Sequence, residues 1–143
     1  MPDSLALTDA QRAFLATPKR FAALATSDED GTPRQTVIWY RLLDDGRILV
    51  NGRSPRRWCA NLDRSGRAAI AIQDGTDGYR WLGLACVVDE RSTDVVAARE
   101  DIVGLAMLYH DDSPDPALVA AFRSQPRISY VLRVTGLHDH LDD

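Results

Sequence analysis

The sequence predicts a mainly β fold, an antiparallel barrel with short flanking helices, on three observations. About six segments carry the β-branched and aromatic residues or the alternation expected of strands. Most of them are joined by short turn sequences. They do not alternate regularly with crossover helices, as a doubly wound sheet requires. The 143 residues, 45% hydrophobic and 27% charged, suit one globular domain spanning residues 1–143.

The elements follow in order. Thr8 with Gln11 three residues later forms a capping-box start, and Thr17-Pro18 a stop, so residues 8–16 are expected as a short helix. Residues 21–26 form a strand, Asp28-Glu29-Asp30-Gly31 a turn, and residues 34–42 a second strand. Asp44-Asp45-Gly46 turns the chain into a third strand at residues 47–51, completing a meander. Ser54 suits an N-cap and Pro55 a first helical turn, which starts a short helix running to Leu62. Residues 67–72 return as a strand, residues 74–78 form a flexible loop, and residues 79–88 a longer strand. Val95, Ala98, Ile102, Leu105, Ala106 and Tyr109 recur at helical spacing, so residues 93–108 form the longest amphipathic helix. A further short helix is expected at residues 116–124. Ile128, Tyr130, Leu132 and Val134 alternate with more polar neighbours in a final half-buried strand at residues 127–136.

The totals exclude several function classes. A net charge of −4 opposes general nucleic-acid binding, which draws its affinity from basic surfaces. No apolar run approaches the roughly 20 residues of a membrane-spanning helix. Met1-Pro2-Asp3-Ser4 has no positive n-region, so no export is expected and the chain is assigned to the cytoplasm. Cys59 and Cys86 each sit in apolar or helical surroundings and are expected as reduced core thiols. The chain has no Gly-x-Ser-x-Gly elbow, His-Glu-x-x-His, Walker loop or Cys-x-x-Cys pair, so hydrolase, metalloprotease, nucleotidase and zinc readings lack their residues.

Arg53, Arg56 and Arg57 carry the chemistry. Of the 17 basic residues only Lys19 is a lysine, so position and not arginine number must make the argument. Three cations at a helix start repel the partial positive charge of its free N–H groups, at a cost of about 0.3–1 kcal/mol each when exposed. A phosphate relieves that cost, because guanidinium forks and free backbone donors both match its oxygens. The competing reading is three arginines splayed into solvent.

Residues 21–88 resemble the split β-barrel superfamily of flavin-binding proteins related to pyridoxamine 5′-phosphate oxidase, in particular its branch using the deazaflavin coenzyme F420. The likeness rests on Phe21-Ala22-Ala23-Leu24-Ala25-Thr26, on Gly31-Thr32-Pro33-Arg34-Gln35-Thr36-Val37-Ile38-Trp39-Tyr40, on residues 53–62, and on Asp77-Gly78-Tyr79-Arg80-Trp81-Leu82. It implies a homodimer with the cofactor at the subunit interface. Thr36, Val37, Ile38 and Trp39 would meet the ring. Arg53, Ser54, Arg56 and Arg57 would face the phosphate, with Asn51, Trp58 and Asn61 beside them. Tyr79 and Arg80, with Trp81, would approach from the other subunit. Many relatives carry a lysine three residues before the asparagine, where this chain has Trp58.

The resemblance implies an F420-dependent oxidoreductase that passes hydride to an unsaturated small-molecule substrate. Two readings stand beside it: an FMN-dependent oxidase or reductase, and a non-catalytic carrier of flavin, deazaflavin or haem. No catalytic acid, metal site, nucleic-acid partner or membrane partner is expected. His138 and His140 form a His-Asp-His tail without an evident third ligand and are expected in solvent, while His110 caps the long helix. By default Trp39 and Trp81 are core or interface aromatics.

Overall fold

A computed structural model describes residues 5–142; the reading of the first four residues lies outside them. The elements run α1 (Asp9–Ala16), β1 (Ala22–Ser27), β2 (Pro33–Ile38), β3 (Arg41–Leu42), β4 (Ile48–Arg53), α2 (Arg57–Ser65), β5 (Arg67–Gln73), β6 (Trp81–Arg91), α3 (Val95–Tyr109), α4 (Pro116–Phe122) and β7 (Arg127–His140). The strands form one antiparallel sheet in the order β2-β1-β5-β6-β7-β4-β3.

That order closes the sheet. β2 and β3 are its two edges, yet only Trp39 and Tyr40 lie between them in the chain. A span of three residue steps reaches at most about 11 Å. The edges must therefore meet, and the sheet curls into a barrel left split at this seam. The sequence reading joined residues 34–42 into one strand. Two edges of one sheet cannot be a single strand, and the chain breaks at Trp39-Tyr40, where the Tyr40 amide donates to the Tyr109 hydroxyl and the Tyr40 hydroxyl to the Leu15 carbonyl.

Inside the barrel Leu24, Ile48, Val50, Ile70, Ile72, Leu82, Leu84, Tyr130 and Leu132 are buried. The alternation expected in the last strand holds at Tyr130, Leu132 and Val134. β7 continues to His140 because β6 pairs with it from Tyr130 to His140, with irregularities at Ala85/Cys86 and Val88/Glu90. The capping box at Thr8 is present with both of its hydrogen bonds. In α3, Ala98, Ile102, Leu105, Ala106 and Tyr109 are buried as expected; Val95 is not, and the Asp94 side chain caps the helix by accepting from the Val96 and Ala97 amides.

The helix start near the arginines is also corrected. Ser54 is not the N-cap: its amide donates to the Pro126 carbonyl and the Arg56 amide to the Arg53 carbonyl, which prolongs the β4–β7 partnership into a turn. Helix α2 then begins at Arg57 with Arg56 as N-cap and no side-chain cap. The loop expected to be flexible at residues 74–78 is laced together by the Asp74 carboxylate. It accepts from the Thr76 amide and hydroxyl, the Asp77 amide and Arg80, which holds it well below the usual carboxylate range.

Candidate functional site

The barrel seam opens into a cleft of about 310 Å³, lined by Phe21, Thr36–Trp39, Asn51–Arg53, Arg56, Trp58, Ile102, Phe122 and Arg127. Elements from opposite ends of the sequence meet here. β2 supplies Thr36, Val37 and Ile38, β4 supplies Asn51 and Arg53, the α2 start supplies Arg56 and Trp58, and β7 supplies Arg127.

Of the residues singled out from sequence, Thr36, Val37, Ile38, Trp39, Asn51, Arg53, Arg56 and Trp58 line this cleft. Ser54, Arg57, Asn61, Tyr79 and Arg80 do not line it. Arg57 pairs with Asp28 at 3.1 Å. Buried Asn61 donates to Thr26 Oγ1 and Asp28 Oδ1, tying α2 to the turn after β1. Tyr79 projects from its loop, 84% exposed, and Arg80 bonds Asp74 and the Leu141 carbonyl.

The residue missed from sequence is Arg127. It stands opposite Arg53 in the β4–β7 register, a pairing between positions 74 apart that no local motif announces. Its Nε donates to Asn51 Oδ1 at 2.9 Å and its Nη1 to Gln125 Oε1 at 3.1 Å, and its guanidinium lies 5.2 Å from the Phe122 ring centre. Burial, aided by the positive charges of Arg56 and Arg53, pulls its pKa down to about 10. Arg53 and Arg56 are exposed and make no side-chain hydrogen bond or ion pair among the described residues.

No acidic residue lines the cleft. Three guanidinium groups there lack a counter-charge, and a bound anion would supply one. Apart from Thr36 and Asn51, the remaining wall is apolar and aromatic. Trp39 stacks on Tyr109 with ring centres 5.1 Å apart and meets Phe122 edge-on at 6.3 Å, while Phe21 and Val37 stay 54% and 68% exposed at the rim. Such a cleft fits a planar ring attached to a phosphate. Trp58 is buried against Tyr130, its ring centre 6.0 Å away, so position 58 offers shape and no charge.

A second hollow of about 250 Å³ adjoins the first and shares Thr36, Arg56 and Trp58 with it. Arg34 and Arg57 complete its basic side, both paired with Asp28. Hydrogen bonds from Asn61 and Arg34 hold the Asp28 carboxyl down at about 2.

The histidines differ from expectation at one point. His110 is the C-cap of α3, as predicted. His138 and His140 lie within β7 and not in a tail, with Nε2 atoms 2.8 Å apart beside Trp81. No group of three or more metal-ligating side chains occurs among the described residues. Cys59 and Cys86 are buried free thiols, and burial pushes Cys59 up to about 11. No helix among the described residues is long and apolar enough to cross a membrane.

Comparison with known proteins agrees with this architecture. Residues 7–130 match the family model described as pyridoxamine 5′-phosphate oxidase. Among solved structures, an F420 reductase superposes with a TM-score of 0.75 at 22% identity, covering 92% of this chain and 98% of that one. A conserved hypothetical protein of Mycobacterium tuberculosis gives 0.73 at 22% identity over 96% and 88%. HupZ of Group A Streptococcus gives 0.68 at 16% identity over 96% of both chains. No curated protein matches the sequence. At these identities the structural likenesses establish the fold.

Proposed function

We propose a function from one premise: the chain belongs to the pyridoxamine 5′-phosphate oxidase family. On that split barrel the seam cleft is the site of a flavin-type cofactor, and the protein is an oxidoreductase dependent on coenzyme F420 that reduces an unsaturated small molecule. One observation carries the reading: Arg53, Arg56 and Arg127 converge on a cleft with no acidic lining residue.

These three arginines would hold the phosphate. Thr36, Val37 and Ile38 on β2 and Trp39 just after it, with Phe21 and Phe122, would border the ring and keep water from it. When bound, the reduced deazaflavin supplies the hydride. The cleft lining offers no Asp, Glu, His, Lys or Tyr, so the accompanying proton comes from solvent or substrate. The adjoining basic hollow favours the deazaflavin coenzyme over FMN, because Arg56, Arg57 and Arg34 continue the positive surface toward an acidic tail.

The homodimer belongs to the same proposal. A shallow face of about 500 Å³, without an Asp, Glu, Lys or Arg side chain, is lined mostly from β1, β5, β6 and β7, where Ala23, Ala69, Ala71, Gly83 and Ala85 stand beside Trp81 and His138. The small side chains let a second barrel approach closely. Gln35, on the strand that borders the cleft, lines both this face and the hollow that adjoins the cleft.

Fluorescence titration with FMN and with coenzyme F420 tests the reading. The deazaflavin binds tightly, Arg53→Ala and Arg56→Ala each weaken it by about tenfold or more, and Arg57→Ala weakens it while sparing FMN. Binding of FMN alone moves the assignment to an FMN-dependent enzyme. Binding without reduction of any acceptor in a broad panel makes the protein a carrier. Failure of both ligands to bind overturns the site.

A further inference from the structure

We infer that Arg127 is the pre-aimed anion-binding group of the cleft and that Asp101, on helix α3, aims it through Ser129 and Asn51. The inference rests on the cleft being an anion site and adds the residues that set its geometry.

The direction of each bond is forced. A carboxylate only accepts hydrogen bonds, so the 2.7 Å contact between Ser129 Oγ and Asp101 Oδ2 uses the single hydroxyl proton of Ser129. Ser129 Oγ must then accept from Asn51 Nδ2, 2.8 Å away. The other Nδ2 hydrogen goes to the Ala98 carbonyl, also at 2.8 Å. With its nitrogen held twice, the Asn51 amide presents Oδ1 to Arg127 Nε at 2.9 Å. Ser129 and Asn51 are buried, so the chain runs where an unmade hydrogen bond is costly. Asp101 is not among the cleft-lining residues and acts only through this relay.

The relay leaves Arg127 charged and oriented. Its Nε is held by Asn51, its Nη1 by Gln125 and its face by Phe122, while Nη2 makes no hydrogen bond to the described residues. Arg53 and Arg56 lose side-chain freedom on meeting a ligand; Arg127 has lost it on folding. Asn51 and Asp101 are positioning residues, and Arg127 touches the ligand.

The test reads orientation and affinity separately on the full chain. In the ligand-free protein the Arg127 Nε–H gives a discrete, slowly exchanging NMR signal, assigned by its loss in Arg127→Ala. Asp101→Ala and Ser129→Ala broaden or shift it, and Ser129→Thr, which keeps the hydroxyl, restores it. In titrations with inorganic phosphate and with FMN, Arg127→Ala weakens binding about tenfold or more, Asp101→Ala and Ser129→Ala about three- to tenfold, and Ser129→Thr little. Thermal melting verifies that each variant is folded, and Asp101→Ala, which removes the acceptor at a half-buried position, keeps the test open if Ser129→Ala does not fold. Unchanged signal and affinity in folded Asp101→Ala and Ser129→Ala overturn the relay, as does unchanged affinity in Arg127→Ala. If the wild type binds neither anion but the Nε–H signal follows the variants, the relay stands and the anion site falls.

Discussion

Strand β4 passes so close to helix α2 at Gly52 that a Cβ there would lie 2.5 Å from the Trp58 ring and 2.6 Å from Cys59 Sγ. Both obstacles are buried side chains fixed by their helix, so neither can step aside. Gly52→Ala is therefore expected to destabilise the protein by about 1–3 kcal/mol, seen as a lower midpoint in thermal or denaturant unfolding. The same geometry explains position 58: a large ring that fills the space beside Gly52 and Tyr130 has exchanged charge for packing. Asp28 makes the second residue-scale prediction. Its folded pKa of about 2 lies below the ordinary value of 3.8, so its contribution to stability is complete above the ordinary value and is lost as pH falls through about 2. Asp28→Asn should flatten the acid limb of stability between about pH 4 and pH 2 in a series of denaturant melts. A wild-type slope there would assign the acid sensitivity to other carboxylates.

Among the elements, those with a local signature were legible in the sequence. The capping box placed α1, helical spacing placed α3, and period-two alternation placed β7. What failed depended on contacts distant in the chain. The seam at Trp39-Tyr40 exists because the first and last strands of the sheet order are neighbours in sequence, and a β-rich stretch shows nothing of that. Helix α2 starts after Arg56, not after Ser54: the Ser54 amide extends the strand pairing to the Pro126 carbonyl, and the first helical bond runs from the Ala60 amide to the Arg56 carbonyl. The site divides in the same way: the arginines next to β4 were visible as a cluster, and Arg127 became part of it only through strand register. Asp94 offers a test confined to one element. Its carboxylate satisfies two amides at the start of α3, so Asp94→Ala should cost about 1 kcal/mol in an unfolding experiment. Because α3 carries Asp101, loosening it should also weaken anion binding slightly.

For the whole molecule, barrel closure and cleft formation are one event. The strands that line the cleft are β2 on one edge, β4 beside the other edge, and β7 next to β4, so the site exists only once the sheet has curled. Ligand binding should accordingly stabilise the entire barrel, with a thermal midpoint that rises with coenzyme concentration. The proposed dimer adds a surface without Asp, Glu, Lys or Arg on the outside of the same sheet, and sedimentation at micromolar concentration should give the mass of two chains. A crystal structure of the protein grown with coenzyme F420 decides whether the seam is the binding site. The coenzyme's phosphate should lie within hydrogen-bonding distance of Arg53, Arg56 and Arg127, with the ring against residues 36–39; a coenzyme bound elsewhere, with these three side chains turned to water, would overturn the assignment.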